Sequence, residues 1–149
     1  MTVVSRIFGM IVVCAVLVVA GCGPRASTGT PEPMELQLLV RGATPPTEQS
    51  FRVGDTVRIR ESGTVLGTIT GVDVEQSRIA VPDSAGVLRE TRSPITVDIN
   101  VTIKGQAVAT EQGYLFEDEI VYVNNDTRYL TPLVQFSGII TEMRVVDAE

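Results

Sequence analysis

The chain has 149 residues, 44% of them hydrophobic, with 18 Asp and Glu against 12 Lys and Arg for a formal charge of −6. That leaves room for one modest domain once short terminal segments are set aside. Histidine and tryptophan are absent, Lys104 is the single lysine, and the two cysteines, Cys14 and Cys22, both lie near the N-terminus, a composition that argues against an enzyme, a metal site or a cofactor because the usual general base, neutral metal ligand and free thiol are missing from the rest of the chain; the scattered cations of an acidic chain also argue against nucleic acid.

Arg6 precedes an uninterrupted apolar run of 14 residues, Ile7 to Ala20. A bilayer-spanning helix needs about 20 such residues, so this run has the length of a signal h-region. Val19-Ala20-Gly21-Cys22 follows at once and resembles the lipobox of bacterial lipoproteins. The resemblance implies a cleaved signal helix over residues 1–21 and recognition through Val19, Ala20 and Gly21. Cys22 would then become the first residue of the mature chain, carrying a diacylglyceryl group with acyl chains such as palmitate. At about 0.8 kcal/mol per buried CH₂, two or three chains make a stable anchor. The alternative is an uncleaved anchor helix, which places the rest of the chain on the same, extracytoplasmic side. Gly23 follows the cysteine where an Asp would favour inner-membrane retention, so in a two-membrane cell the expectation leans to the outer membrane. Removing Arg6 with the signal leaves eleven basic residues against eighteen acids, a net charge of −7. Gly23 to Pro33 contains three prolines and no apolar periodicity, so residues 22–33 read as a lipidated cysteine on a disordered tether.

Residues 34–149 read as an all-β domain. Strands are expected over Glu35–Val40, Thr56–Arg60, Val65–Val74, Ile79–Val81, Ile95–Lys104, Ile120–Val123 and Val134–Val146, with Ala43–Ser50 as a loop. Glu61-Ser62-Gly63 and Asp83-Ser84-Ala85-Gly86 suit hairpin turns, and Lys104-Gly105-Gln106 is expected to end the long strand. In that strand Ile95, Val97, Ile99, Val101 and Ile103 alternate with Thr96, Asp98, Asn100, Thr102 and Lys104, which predicts one core face and one wet face.

Two stretches echo one another. Phe51–Arg60 followed by Leu66–Val74 matches Phe116–Asn124 followed by Ser137–Val145, aligning Val57 with Val121, Ile59 with Val123, Gly67 with Gly138, and Ile69-Thr70 with Ile140-Thr141. An internal hairpin repeat with a bulge or bend at each glycine predicts a small antiparallel β-barrel; the alternative is a two-sheet sandwich.

The candidate chemistry is sparse. Glu117-Asp118-Glu119 and Asn124-Asn125-Asp126 with Thr127 offer clustered oxygens but lack EF-hand spacing, and solvated turns explain both. No GxSxG, P-loop or dinucleotide fingerprint occurs, and a pair of acids for hydrolysis can always be drawn from eighteen. Tyr114, Tyr122 and Tyr129 form the candidate binding surface, since an aromatic body with a polar tip suits recognition. Phe116 and Phe136 read as core. The expected partners are the membrane through the lipid, and an envelope protein or lipid; the soluble domain is expected to be monomeric.

Leu39-Val40-Arg41, Val53-Gly54-Asp55-Thr56-Val57, Gly63 to Ile69, Thr96 to Ile103 and Gly138-Ile139-Ile140 together resemble the family of domain of unknown function 4330. That resemblance implies a membrane-anchoring hydrophobic segment ahead of a β-rich extracytoplasmic domain, and no mechanism; the lipobox departs from the family's usual uncleaved anchor. Val53 to Val57 with Leu66-Gly67-Thr68-Ile69 is also similar, over about 25 residues, to the ring-forming β-barrels of bacterial lipid transport named for mammalian cell entry. The reading that follows is a membrane-anchored, non-catalytic binding or assembly module of the envelope. The alternative is a component of a lipid-transport assembly, with a carboxylate-based hydrolase less favoured.

Overall fold

The computed structural model describes residues 29–147. Eight strands follow in chain order: β1 (Glu32–Ala43), β2 (Thr56–Ile59), β3 (Val65–Pro82), β4 (Leu88–Thr110), β5 (Gly113–Phe116), β6 (Glu119–Val121), β7 (Asp126–Leu130) and β8 (Gln135–Val145). A 3-10 turn at Thr47–Ser50 lies between β1 and β2. All pairings are antiparallel, and the order β1-β8-β7-β2-β3-β4 closes on itself through a β1–β4 pairing. The barrel-like expectation is thus met as a closed ring of six strands, with β5 and β6 as a hairpin continuing from β4.

The ring closes because alternate residues of most member strands are apolar and share one face, while β7 contributes the single buried body of Tyr129. Leu36, Leu38 and Ile140 are fully buried, as are Val57, Ile69, Val101 and Ile103. In the long strand Ile99 is also fully buried, but Val97 is only partly so and Ile95 is 72% exposed. The period-two pattern is continuous in sequence, yet β1 pairs with β4 no further back than Val97, and no neighbouring strand remains to cover Ile95. Asn100, expected to be exposed, is half-buried because its strand has a partner on each side, Leu39 and Asp73.

Strand β4 runs through Gly105 to Thr110, so Lys104-Gly105-Gln106 does not end it. The glycine permits close passage instead. A Cβ on Gly105 would lie 1.9 Å from the Leu66 carbonyl oxygen, and one on Gly67 would lie 2.1 Å from the Lys104 carbonyl oxygen. These two glycines let β3 and β4 cross nearly backbone to backbone.

The internal echo persists, in a corrected register. Strand β7, where the sequence predicts a turn, supplies the first strand of the second unit; β6 pairs with β5 instead of β8. Val57 faces Gly67 on β3, and Thr127 faces Gly138 on β8. The equivalents are therefore Val57 with Thr127 and Ile59 with Tyr129. Gly54 (φ 98°) and Asn124 (φ 69°) stand at the same relative place. Gly54 N–H donates to the Ile69 carbonyl at 2.8 Å, and Asn124 N–H donates to the Ile140 carbonyl at 2.7 Å. Ile59 and Tyr129 pair with each other, so β2 and β7 meet across an approximate two-fold.

The bends also correspond, at the threonines instead of the glycines. Between β3 and β4 the register skips Thr70, and between β8 and β1 it skips Thr141. Their hydroxyls donate to the carbonyls of Thr102 and Gln37 at 3.4 and 3.2 Å. Gly67 has φ 145° and adjoins a second irregularity against β2, whereas Gly138 sits in unbroken register against β7. Its Cβ would meet the Leu38 side chain at 3.2 Å, so Gly138 is small for packing.

The strand directions define two ends. At the proximal end lie the start of β1 and the finish of β8, joined by a bond from Val146 N–H to the Pro33 carbonyl at 2.9 Å, together with the β2–β3 turn. At the distal end β3 and β4 continue past the ring as a two-stranded arm.

Candidate functional site

The expected tyrosine surface does not form. Tyr129 is fully buried on β7, its ring centroid 5.7 Å from that of Phe136, which in turn packs edge-on at 4.8 Å against Phe51. Tyr114 is partly buried against the core, and only Tyr122, 54% exposed, stands free. The sequence favours this outcome in retrospect: Thr127 and Tyr129 share a strand face, and β7 needs one large apolar body to fill the ring opposite Ile59. Burial pushes the Tyr129 hydroxyl above its ordinary range, helped by the charges of Asp126 and Glu119. That hydroxyl has no hydrogen-bond partner among the described residues. Val19, Ala20, Gly21 and Cys22 lie outside the described residues.

The acidic run is engaged in fastening. Asp118 accepts from the Thr64 hydroxyl at 2.9 Å, Glu117 accepts from Val65 N–H at 3.0 Å, and Glu119 accepts from the Ser62 hydroxyl. The β5–β6 turn, with Glu117 at φ 50°, is thereby tied to the β2–β3 turn at the proximal end. Among the described residues no three His, Cys, Asp or Glu side chains gather as a metal site.

The arm is the feature that sequence reasoning missed. Register runs from Gln76 opposite Val97 to Arg78 opposite Arg92, so Ser93 to Thr96 bulge out against Ser77. This elbow is built from buried hydroxyls. Ser77 donates to Asp98 Oδ1 at 2.6 Å, Gly42 N–H donates to the same oxygen at 2.8 Å, and Ser93 Oγ accepts from the N–H groups of Ile95 and Thr96 at 3.3 and 3.1 Å. Beyond the elbow Ile79 pairs with Thr91, Val81 with Arg89, and Pro82 with Leu88. At the tip Asp83 Oδ1 accepts from the N–H groups of Ala85 and Val87 at 2.9 and 3.0 Å, and Oδ2 takes Arg89 Nε at 2.8 Å. Arg89 first, then these N–H groups, hold the Asp83 carboxyl below the ordinary carboxylate range.

No arm residue from Glu75 to Ile95 belongs to the hydrophobic core, while Ile79, Val81, Val87, Leu88 and Ile95 are all exposed. Two shallow concavities meet at Arg78 and Arg92. One, of about 370 Å³, also takes in Val74, Glu75 and Gln76; the other, of about 210 Å³, takes in Glu90 and Thr91. The available signal was the alternation of apolar and charged residues on both sides of the Asp83–Gly86 turn. Periodicity marks such segments as strands but does not say whether anything covers them.

An all-β ring with a projecting hairpin is the class the coordinates define. The family described as Domain of unknown function (DUF4330) matches residues 3–144, and the chain belongs to it. No curated protein and no solved structure matches the chain. No helix among the described residues is long and apolar enough to cross a membrane.

Proposed function

We propose that this chain is a non-catalytic binding or assembly module of the bacterial envelope, exported and held to the membrane by a lipid on Cys22. The observation that carries the reading is the polarity of the folded part. Strand β1 departs from the tethered segment at the proximal end, with Glu32 opposite Ala107, whereas the arm leaves the distal end. From Ala107 back to Leu88 the strand covers up to about 60 Å at 3.3 Å per residue. An anchor at Cys22 would then hold the ring near the bilayer and present the arm away from it. The lack of His in the whole chain, its single lysine and the engagement of Glu117, Asp118 and Glu119 in hairpin contacts support a role without catalysis.

Mass spectrometry of protein extracted from its own membranes tests the anchor. The expected species begins at Cys22 with a diacylglyceryl thioether, and an intact Met1 with an unmodified Cys22 would refute it. Single replacement of each Asp and Glu tests the non-catalytic reading. Function should survive every change that leaves folding intact, and its loss on changing one or two acids would favour a hydrolase.

A second reading, a lipid-transport assembly, draws on one contact. The phrase Val53 to Val57 and the phrase Leu66 to Ile69 adjoin in space, with Thr56 opposite Thr68 and Ile69 N–H donating to the Asp55 carbonyl at 2.9 Å. That reading requires rings of many copies joined through the sides of the ring domain, and mass measurement on the detergent-solubilised chain separates it from the first.

A further inference from the structure

We propose that the arm is a self-association element: the free edge of β3 pairs antiparallel with the same edge of a second copy, centred on Ala80, to make a continuous four-stranded sheet. An isolated two-stranded hairpin is marginal in water, and this one has no core of its own. Strand β3 is bonded on its β2 side as far as Ile69, which exchanges hydrogen bonds with Gly54 and Asp55, and among the described residues it afterwards has β4 alone as a partner. A row of backbone donors and acceptors from Gly71 to Val81 is therefore left open on one side, which is a template for strand addition. The opposite edge of the arm, Leu88 to Arg92 on β4, is blunted by three charged side chains in five residues, Arg89, Glu90 and Arg92. Natural edges are usually blunted by proline or lysine; Gly71 to Val81 contains neither, and Pro82 at the end of β3 still offers its carbonyl to the N–H of Arg78 across the seam.

Charge selects the occupant. The chain carries −6 overall, yet Glu75 to Ile95 holds three Arg (78, 89, 92) and three acids (75, 83, 90). Two copies of an acidic domain repel unless they meet where the charge is balanced, and the arm is such a place. The face pattern is also self-complementary. Pairing centred on Ala80 sets Ile79 opposite Val81 of the second copy and Val81 opposite its Ile79, forming an apolar stripe on the face that carries Thr91 and Arg89. Both side chains are about 40% exposed in the single chain, 38% and 42%. On the other face Arg78 comes beside Pro82 of the second copy, so no like charges oppose each other along the new seam. The sequence reading expects a monomeric soluble domain; the open edge is visible only once the strands are paired.

The prediction is geometric. In an antiparallel pair directly opposed Cα atoms lie about 4.5–5.5 Å apart, within the span of a disulfide. Ala80→Cys on the full chain in mild detergent should give an oxidised dimer. Ser84→Cys at the tip should not, and the wild-type chain sets the background from Cys14 and Cys22. Mixing Ile79→Cys with Val81→Cys should yield the hetero-linked dimer in preference to either homodimer. A seam of a few residues is smaller than a strong interface of about 1,000 Å², so self-association is followed by sedimentation up to high micromolar chain. The double variant Ile79→Lys, Val81→Lys should weaken it at least ten-fold with an unchanged far-UV CD spectrum. A monomer at all concentrations with no Ala80→Cys crosslink overturns the proposal. So does a dimer that tolerates the double lysine change, or a larger ring of copies. None of these outcomes depends on lipidation or on an envelope partner, so the proposed function can fail independently.

Discussion

Replacing Tyr129 by Phe should stabilise the protein, which is an unusual expectation for a fully buried aromatic. The ring fills the space opposite Ile59 and against Phe136, and phenylalanine keeps those contacts. The hydroxyl it removes is buried with no hydrogen-bond partner among the described residues. A buried polar group left unsatisfied costs about 1–3 kcal/mol, and removing it recovers part of that; the expected gain is about 1 kcal/mol at neutral pH. The gap should widen in alkali. Burial raises the folded-state pKa above the ordinary tyrosine value of about 10, so the native state keeps a proton that the unfolded chain gives up. The stability tied to that proton is complete below pH 10 and is lost as pH rises beyond it, by about 1.4 kcal/mol at pH 11. Tyr114 and Tyr122 are present in both proteins and cancel in the difference. Urea unfolding of residues 29–149, followed by far-UV CD between pH 7 and 11, measures both effects; CD is preferred because the chain has no Trp and its tyrosine emission would itself change. A loss of more than about 1 kcal/mol at pH 7, or a gap that stays constant with pH, would refute the reasoning and point to a partner for the hydroxyl.

Two further expectations separate positions that the sequence treats alike. Gly67→Ala should be far more damaging than Gly138→Ala: at Gly67 the new methyl meets backbone at 2.1 Å with φ at 145°, while at Gly138 it meets the Leu38 side chain at 3.2 Å and the Leu39 carbonyl oxygen at 3.3 Å, contacts that a small shift relieves. Denaturation midpoints should show a loss of several kcal/mol against about 1, and equal losses would mean that the close β3–β4 passage is wrong. Ile99→Ala should cost about 2–5 kcal/mol and Asn100→Ala about 0.5, read from the same unfolding curves; comparable costs would place Asn100 in a buried polar contact.

Strands that fill the ring were legible because their apolar residues alternate without interruption, as in Leu36, Leu38 and Val40 or Ile99, Val101 and Ile103. Strand β7 was hidden because Asp126, Thr127 and Arg128 precede its one large inward side chain, and three polar residues after Asn124-Asn125 read as turn chemistry. The second repeat was consequently aligned on Ile120–Val123, one hairpin too early, even though Gly138 and Ile140-Thr141 were matched to their true equivalents. Ile95 shows the complementary limit. Alternation tells which side of a strand is apolar, but burial depends on whether another strand arrives to cover it, and β1 stops pairing at Val97. The tyrosine surface failed for the same reason in reverse, since only long-range pairing decides that Tyr129 faces Ile59.

The distribution of restraints bears on where binding should be sought. At the proximal end the start of β1 and the finish of β8 are joined through Val146 and Pro33, and the β5–β6 turn is tied to the β2–β3 turn by three carboxylates. Those acids are the ones a reader would nominate for a metal or for hydrolysis, and their oxygens already accept hydrogen bonds from the neighbouring turn. At the distal end the restraints stop at the Ser77, Ser93 and Asp98 elbow. Beyond it the ladder, the exposed Arg78–Glu90 pair at 3.6 Å and the Asp83 turn hold a ribbon with no core beneath it. An exposed ion pair contributes at most about 1 kcal/mol, so the ribbon should open locally at lower free energy than the ring. Segments of low local stability that expose apolar side chains and an unpaired edge gain most from an added strand, because the partner supplies the missing hydrogen bonds and burial together. That physical asymmetry, stiff at the proximal end and incomplete at the arm, favours β3 beyond Gly71 over the tyrosines or acids of the C-terminal third as the place to look for recognition.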